Sequence, residues 1–287
     1  MSATAQSTTL LIAGVSAKLF TVVYPKHDAE TVILLHGGPG APTDFSPIAE
    51  HLSGKYQAIA FEQRGTGRSP VTGRTYSIEE YLQDIDAVAQ YFGVQKFHLF
   101  EHSWGGLYAQ IHAERNPQRV LSMFLCSPAS GPGELWRQTE QEAMRFNRKH
   151  SSLWGWLMMG AKSLLGMLGL DKPYQSLFKQ VLENYMREFD PSFTATDAMV
   201  ENVRAEPINM TRACILKYRA LKDPIDYRFP IVITCGEKDI YGKSKQSVIR
   251  SRFPKAMFVE FANAGHLAWI DNNPKVIDTL TEFYRLS

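Results

Sequence analysis

Six short and almost wholly apolar runs, Thr31–His36, Tyr56–Glu62, Phe97–His102, Val120–Cys126, Ile231–Cys235 and Met257–Phe261, are separated by stretches with helical patterning. A strand that keeps one face in water alternates apolar and polar residues, so runs without that alternation belong to strands buried on both faces. Strands of that kind alternating with helices form a parallel sheet, which makes the chain α/β. Ahead of them, Leu10–Val15 and Ala17–Tyr24 read as a further pair of strands with a turn near Gly14 to Ser16.

Helix punctuation agrees. Ser77 and Glu80 have the spacing of a capping box, opening a helix expected to end near Gly93, and Asn273-Pro274 has the form of a cap and first helical position for a C-terminal helix reaching Tyr284. Between about Pro128 and Asp223 the strand pattern disappears and Leu, Met, Trp and charged residues take over, resuming as strand at Pro230. The expected organisation is a core in two parts, 1–128 and 224–287, interrupted by a helical cap at 129–223.

Composition narrows the partners. With 31 Lys+Arg against 29 Asp+Glu in 287 residues, the net charge of +2 gives no electrostatic reason to expect nucleic acid. Cys126, Cys214 and Cys235 are far apart and outside any CxxC or Cys/His cluster, so neither a disulfide framework nor a metal site is expected, and a cytoplasmic location is. Met1–Thr9 has no basic start, and the apolar run after it is too short for a secretion signal. The composition leaves the oligomeric state open.

Four places carry chemistry-bearing residues, each at the end of an expected strand. In Phe100-Glu101-His102-Ser103-Trp104-Gly105-Gly106 a serine stands at a strand-turn-helix junction, the setting in which a strained turn lifts a hydroxyl clear of the sheet. In His36-Gly37-Gly38-Pro39-Gly40 bare glycine backbone can face a developing oxyanion, a stabilisation worth about 2.7–4 kcal/mol per donor; the expected donors are the Gly38 and Trp104 amides, with Gly37 beside the substrate. Asp239 follows the strand at Ile231–Cys235 and His266 the strand at Met257–Phe261. The order Ser103, Asp239, His266 is that of a nucleophile, its acid and its base on this kind of sheet. Glu62-Gln63-Arg64-Gly65-Thr66-Gly67-Arg68-Ser69 lacks the spacing of a phosphate loop and reads as a structural loop supporting the site.

Together these residues resemble the α/β-hydrolase superfamily and, more narrowly, its proline iminopeptidase-like serine hydrolases, through the HGGPG run, the QRGTGRS loop, Ser103-Trp104-Gly105 and Gly265-His266-Leu267. The resemblance covers about residues 10–128 and 224–287. It implies an eight-stranded, mostly parallel sheet flanked by helices, with the helical cap inserted after the sixth strand. It also implies hydrolysis of an amide or ester through an acyl-enzyme without metal or organic cofactor, acting on a small molecule or short peptide.

Two departures bear on the substrate. Glu101 stands where the pattern has glycine, and is expected to be partly buried, either tuning the site or engaging an amine or, the favoured reading, serving as a structural carboxylate hydrogen-bonded or paired with a nearby base. The cap lacks the W-x-x-W-E segment that presents a glutamate to a free amine, leaving Glu183, Glu188, Glu201 and Glu206 as other acids. The apolar stretch Leu153–Leu170, with Trp154 and Trp156, is expected to lie over Ser103 and favour an apolar substrate group; Lys162 and four glycines argue against membrane insertion. The readings are an aminopeptidase acting on the N-terminal residue of short peptides or on amino-acid amides, a carboxylesterase, lipase or lactonase, and a non-catalytic ligand binder.

Overall fold

The computed structural model describes residues 6–286, with backbone only for 243–245 and 286, so the first five residues of the N-terminal reading lie outside it. Thr8–Ala13 (β1) and Lys18–Tyr24 (β2) pair as an antiparallel hairpin, closed where the Gly14 amide donates to the Ala17 carbonyl at 2.9 Å. The remaining strands are Thr31–Leu35 (β3), Gln57–Phe61 (β4), Phe97–His102 (β5), Val120–Cys126 (β6), Ile231–Gly236 (β7) and Met257–Phe261 (β8). They form one sheet of eight strands in the order β1-β2-β4-β3-β5-β6-β7-β8, parallel throughout from β4 to β8.

The unbroken apolar runs have two destinations. Ile33 and Leu35 join the layer under Ile78–Tyr91 (α2) and Trp104–Arg115 (α3), whereas Val32 and Leu34 face the layer of Ser46–Leu52 (α1), Ala268–Asp271 (α9) and Asn273–Leu286 (α10). Each fully buried aliphatic side chain contributes about 1.5–3 kcal/mol. The capping box of α2 is formed, with Glu80 accepting from the Ser77 amide at 2.9 Å. At the C-terminal helix the expected boundary shifts by one residue. Asn273 is already helical, and its amide group donates to the Trp269 carbonyl at 3.1 Å, because α10 follows directly on α9.

Glu134–Lys149 (α4), Leu153–Met167 (α5), Asp171–Met186 (α6) and Ala205–Lys217 (α7) run between β6 and β7; Gly242–Arg252 (α8) follows β7. This helical segment is tied to the core by backbone bonds from Arg204 to the Gly40 carbonyl at 2.8 Å and from Gly67 to the Asn202 carbonyl at 3.2 Å.

At the centre of the α2 side, Arg64 is fully buried and forms a two-pronged contact with Asp84 at 2.8 Å on each prong, while also donating to the carbonyls of Thr75, Val15 and Glu80. One side chain thereby joins the hairpin turn, the loop after β4 and α2. Removing one partner of such a pair strands a buried charge. Asp84→Ala is expected to cost about 3–5 kcal/mol by urea unfolding, whereas Glu142→Ala, which breaks the exposed Arg145–Glu142 pair, should cost at most about 0.5 kcal/mol. Similar unfolding midpoints for the two variants would show that Asp84 does not anchor this corner.

Candidate functional site

The sheet order reverses between β3 and β5, since β3 continues to β4 on one side and β5 to β6 on the other. Open parallel sheets bind ligands at such a reversal, outside the strands' C-terminal ends. Both glycine-rich and serine-bearing turns stand there.

Ser103 sits at φ 55° and ψ −115°, between the end of β5 and the first residue of α3. Its amide donates to the Cys126 carbonyl at 3.2 Å, and its own carbonyl accepts from Gly106, Leu107 and Ala129, so the strained turn is held from several sides. The helix can start so close to the sheet only because residue 105 is glycine: a Cβ there would lie 2.1 Å from the Leu35 carbonyl oxygen. The amides of the first helical turn have no partner within the helix, which leaves the Trp104 amide at the position expected of an oxyanion donor.

The opposing loop is equally constrained. A Cβ on Gly37 would meet Ser103 Cβ at 3.0 Å, and Gly38 has φ +58° with its carbonyl accepting from Ala41 at 2.9 Å. The loop is pinned by His36, whose Nε2 accepts from the Gln63 amide at 3.0 Å while Nδ1 donates to the Gly37 carbonyl at 2.8 Å. Those partners fix a neutral tautomer. Burial also lowers the His36 pKa to about 4. Gln63 completes a lattice by donating to the His36 carbonyl and accepting from the Trp104 indole, both at 2.8 Å. The QRGTGRS loop therefore braces both turns.

Asp239 and His266 come together from the ends of β7 and β8. Asp239 Oδ1 lies 3.1 Å from His266 Nδ1 and also accepts from the Tyr241 amide at 3.0 Å. His102 donates from Nε2 to the His266 carbonyl at 2.9 Å, and its ring packs against those of His266 and Trp269. Burial holds His102 neutral, well below the usual imidazole range. Ser103 Oγ is bonded to the Tyr241 hydroxyl at 2.9 Å, and the Tyr241 ring packs on that of His266 with centroids 4.5 Å apart. Burial raises the Tyr241 phenol well above its ordinary pKa. Ser103 and His266 are each only 6% exposed, so the site is closed.

Sequence reasoning missed Tyr241, although it stands two residues beyond Asp239 on the same turn. It also missed Tyr185 of α6, whose ring lies 6.0 Å from that of His266. An aromatic after the acid is the one local signal available; Tyr185 is positioned by the helical segment alone.

Several expectations need correction. Glu101 is completely buried rather than partly so, and among the described residues it is neither paired with a base nor hydrogen-bonded, since both carboxylate oxygens lack a partner there. Its register neighbours on the sheet, Leu35 and Leu125, belong to the apolar layer beneath α3, so it is not open to a substrate amine. Desolvation raises its pKa well above the normal carboxyl value. Trp154 and Trp156 do not line the closed site. Trp154 is 72% exposed, and Trp156 lines an outer groove with α4, because α5 packs through Met159 and Gly166 and turns its other side outward. Of the cap acids, Glu183 pairs with Arg187, Glu188 with Lys238 and Glu206 with Arg74, while Glu201 is exposed. Glu140 is held by Arg212 and by the Trp136 indole.

Residues 30–149 match the family model for the alpha/beta hydrolase fold. A proline iminopeptidase of Clostridioides difficile is 22% identical over 271 residues, covering 88% of each chain. Among solved structures, proline iminopeptidase of Mycobacterium smegmatis superposes with a TM-score of 0.69 at 16% identity, over 97% of this chain and 98% of that one. The enol-lactonase of Burkholderia xenovorans gives 0.66 at 18% identity, over 96% and 100%.

Two outcomes follow from the geometry. The Ser103 hydroxyl is hydrogen-bonded to that of Tyr241 at 2.9 Å, so Tyr241→Phe, which releases it, should speed fluorophosphonate labelling of Ser103 by about threefold to tenfold, the worth of one hydrogen bond; slower labelling would make the phenol an assisting group. Glu101 has a folded-state pKa above its unfolded value, so its contribution to stability is complete below the unfolded pKa and is lost as pH rises through the folded one. Glu101→Gln should therefore leave the urea midpoint nearly unchanged at about pH 4 and raise it relative to wild type at about pH 8. A variant less stable than wild type at the higher pH would mean that the carboxylate is ionised and partnered.

Proposed function

The chain is an α/β-hydrolase-fold protein, proline iminopeptidase-like in sequence, and from that premise we propose that it is a serine hydrolase cleaving small amides or esters through an acyl-enzyme. The observation that supports the proposal is that the Tyr241 hydroxyl holds Ser103 at 2.9 Å while its ring packs on His266, which lies 3.1 Å from Asp239, beyond the ends of β5, β7 and β8.

In the reaction, Ser103 Oγ exchanges its bond to Tyr241 for one to His266 Nε2, gives up its proton there and attacks the carbonyl carbon. Asp239, bonded to Nδ1, fixes the tautomer that leaves Nε2 unprotonated and stabilises the imidazolium once formed. The carbonyl oxygen, now negative, is received by the Gly38 and Trp104 amides, which the His36–Gln63–Trp104 lattice holds in place before charge develops. Collapse expels the amine or alcohol with the proton from His266. Water then gives a proton to the same nitrogen and attacks the acyl carbon, and His266 returns that proton to Ser103 Oγ as the acid leaves.

The first substrate reading is the N-terminal residue of a short peptide or an amino-acid amide, supported by relatives whose similarity spans most of the chain. The second is a small lipophilic ester or lactone. It is favoured by one observation: Glu140, Glu183, Glu188 and Glu206 are already neutralised by arginine or lysine, which leaves an ammonium group little to pair with.

A panel of aminoacyl arylamides and of short and medium-chain aryl esters separates the two. Ser103→Ala should abolish turnover of whichever series is accepted, and His266→Ala should lower kcat on the order of a thousandfold with the fold intact. Near-normal turnover in either variant would place the chemistry elsewhere.

A further inference from the structure

A helix on the surface of a globular protein turns its apolar stripe inward and its polar face to water. α5 instead turns a long apolar stripe outward. Met159 and Gly166 face inward, Gly166 so tightly that a Cβ would overlap the Tyr174 ring, while Trp154, Leu157, Met158, Leu164, Leu165 and Leu168 form an outward stripe at the i, i+3, i+4 spacing of one helix face. Leu168 is 79% exposed.

Within the segment that carries the stripe the charge has one sign. From residue 143 to residue 170 the chain carries Arg145, Arg148, Lys149 and Lys162 and no Asp or Glu. Arg145 is engaged by Glu142 at 2.8 Å, and Arg148 and Lys149 stand exposed at the end of α4. The groove between α4 and α5 is lined by Gln141, Met144, Arg145, Arg148, Lys149 and Trp156, so cations and an indole share one edge of the apolar face. Indole rings and long cationic side chains suit the boundary between headgroups and acyl chains, where one end of each is apolar and the other wet.

We propose that α5 and the adjoining end of α4 form a docking surface for an anionic lipid bilayer, on which the protein rests peripherally. The apolar stripe enters the outer acyl region with the helix lying in the interface plane, and Arg148 and Lys149 meet lipid phosphates. Spanning is excluded by length. The 15 residues of α5 reach about 22 Å at 1.5 Å per residue, short of a hydrocarbon core of about 30 Å. Charge favours lipid over a second copy of this chain, because a two-fold contact through this face gathers both cationic corners around one patch with no acid from 143 to 170 to offset them.

The test is co-sedimentation of the full chain with vesicles of phosphatidylcholine alone and of phosphatidylcholine mixed with phosphatidylglycerol. Binding to the mixed vesicles is expected, weakening as salt rises. The double variant Arg148→Glu, Lys149→Glu should lose about twentyfold or more in affinity for them, at about fivefold per cation. Leu164→Glu with Leu168→Glu should weaken binding by acting on the apolar stripe, and all four positions are exposed, so melting temperatures should stay near wild type. Wild type left in the supernatant with the mixed vesicles at low salt would overturn the proposal. So would charge reversal that leaves binding unchanged, or a wild-type dimer in sedimentation equilibrium that Leu164→Glu, Leu168→Glu dissociates. None of these readouts involves hydrolysis, so they stand apart from the fate of the enzymatic reading.

Discussion

The close approach of α3 to the end of β3 is the contact on which the rest of the arrangement depends. With a Cβ at residue 105 only 2.1 Å from the Leu35 carbonyl, the helix would have to retreat from the sheet, and the turn carrying Ser103 would retreat with it. Glycine at that position lets the serine turn and the His36–Gly40 loop share one small space. Gln63 then locks them together through His36 and the Trp104 indole. The loop that sequence spacing excludes as a phosphate cradle is thus the brace between the two turns.

The interior around this contact is kept uncharged. His36 and His102 flank the turns, yet burial lowers both pKa values, and each serves as a fixed joint: His36 for the glycine loop, His102 for the backbone of His266. Glu101 follows the same rule in the opposite chemical direction, since burial without a partner favours its protonated form.

The helical segment between β6 and β7 divides its tasks. α6 and α7 pack toward the core, with Tyr185 against His266 and the Arg204 amide on the Gly40 carbonyl. α5 contributes little to that contact and presents its apolar residues outward.

Six of the eight strands could be read from their lack of polar alternation, a local property of each run, which burial on both faces explains for β3 to β7 but not for β8, whose Met257 at the sheet edge is exposed. The strand-end positions of Ser103, Asp239 and His266 followed from the same runs. Glu101 shows where that reasoning stops. Its departure from glycine was visible, but whether it met a base depended on Leu35 and Leu125, neighbours supplied by other strands. Tyr241 lay two residues from a recognised acid, and only folding β7 beside β6 set its hydroxyl against Ser103. The stretch Leu153–Leu170 was legible as apolar and helical, while the direction of its apolar face was decided by Tyr174 and the rest of α6, which took the Gly166 side and left the other to solvent. Sequence determines what each segment can bury; which partner reaches it is a property of the assembled chain, because burial is completed by side chains distant in sequence.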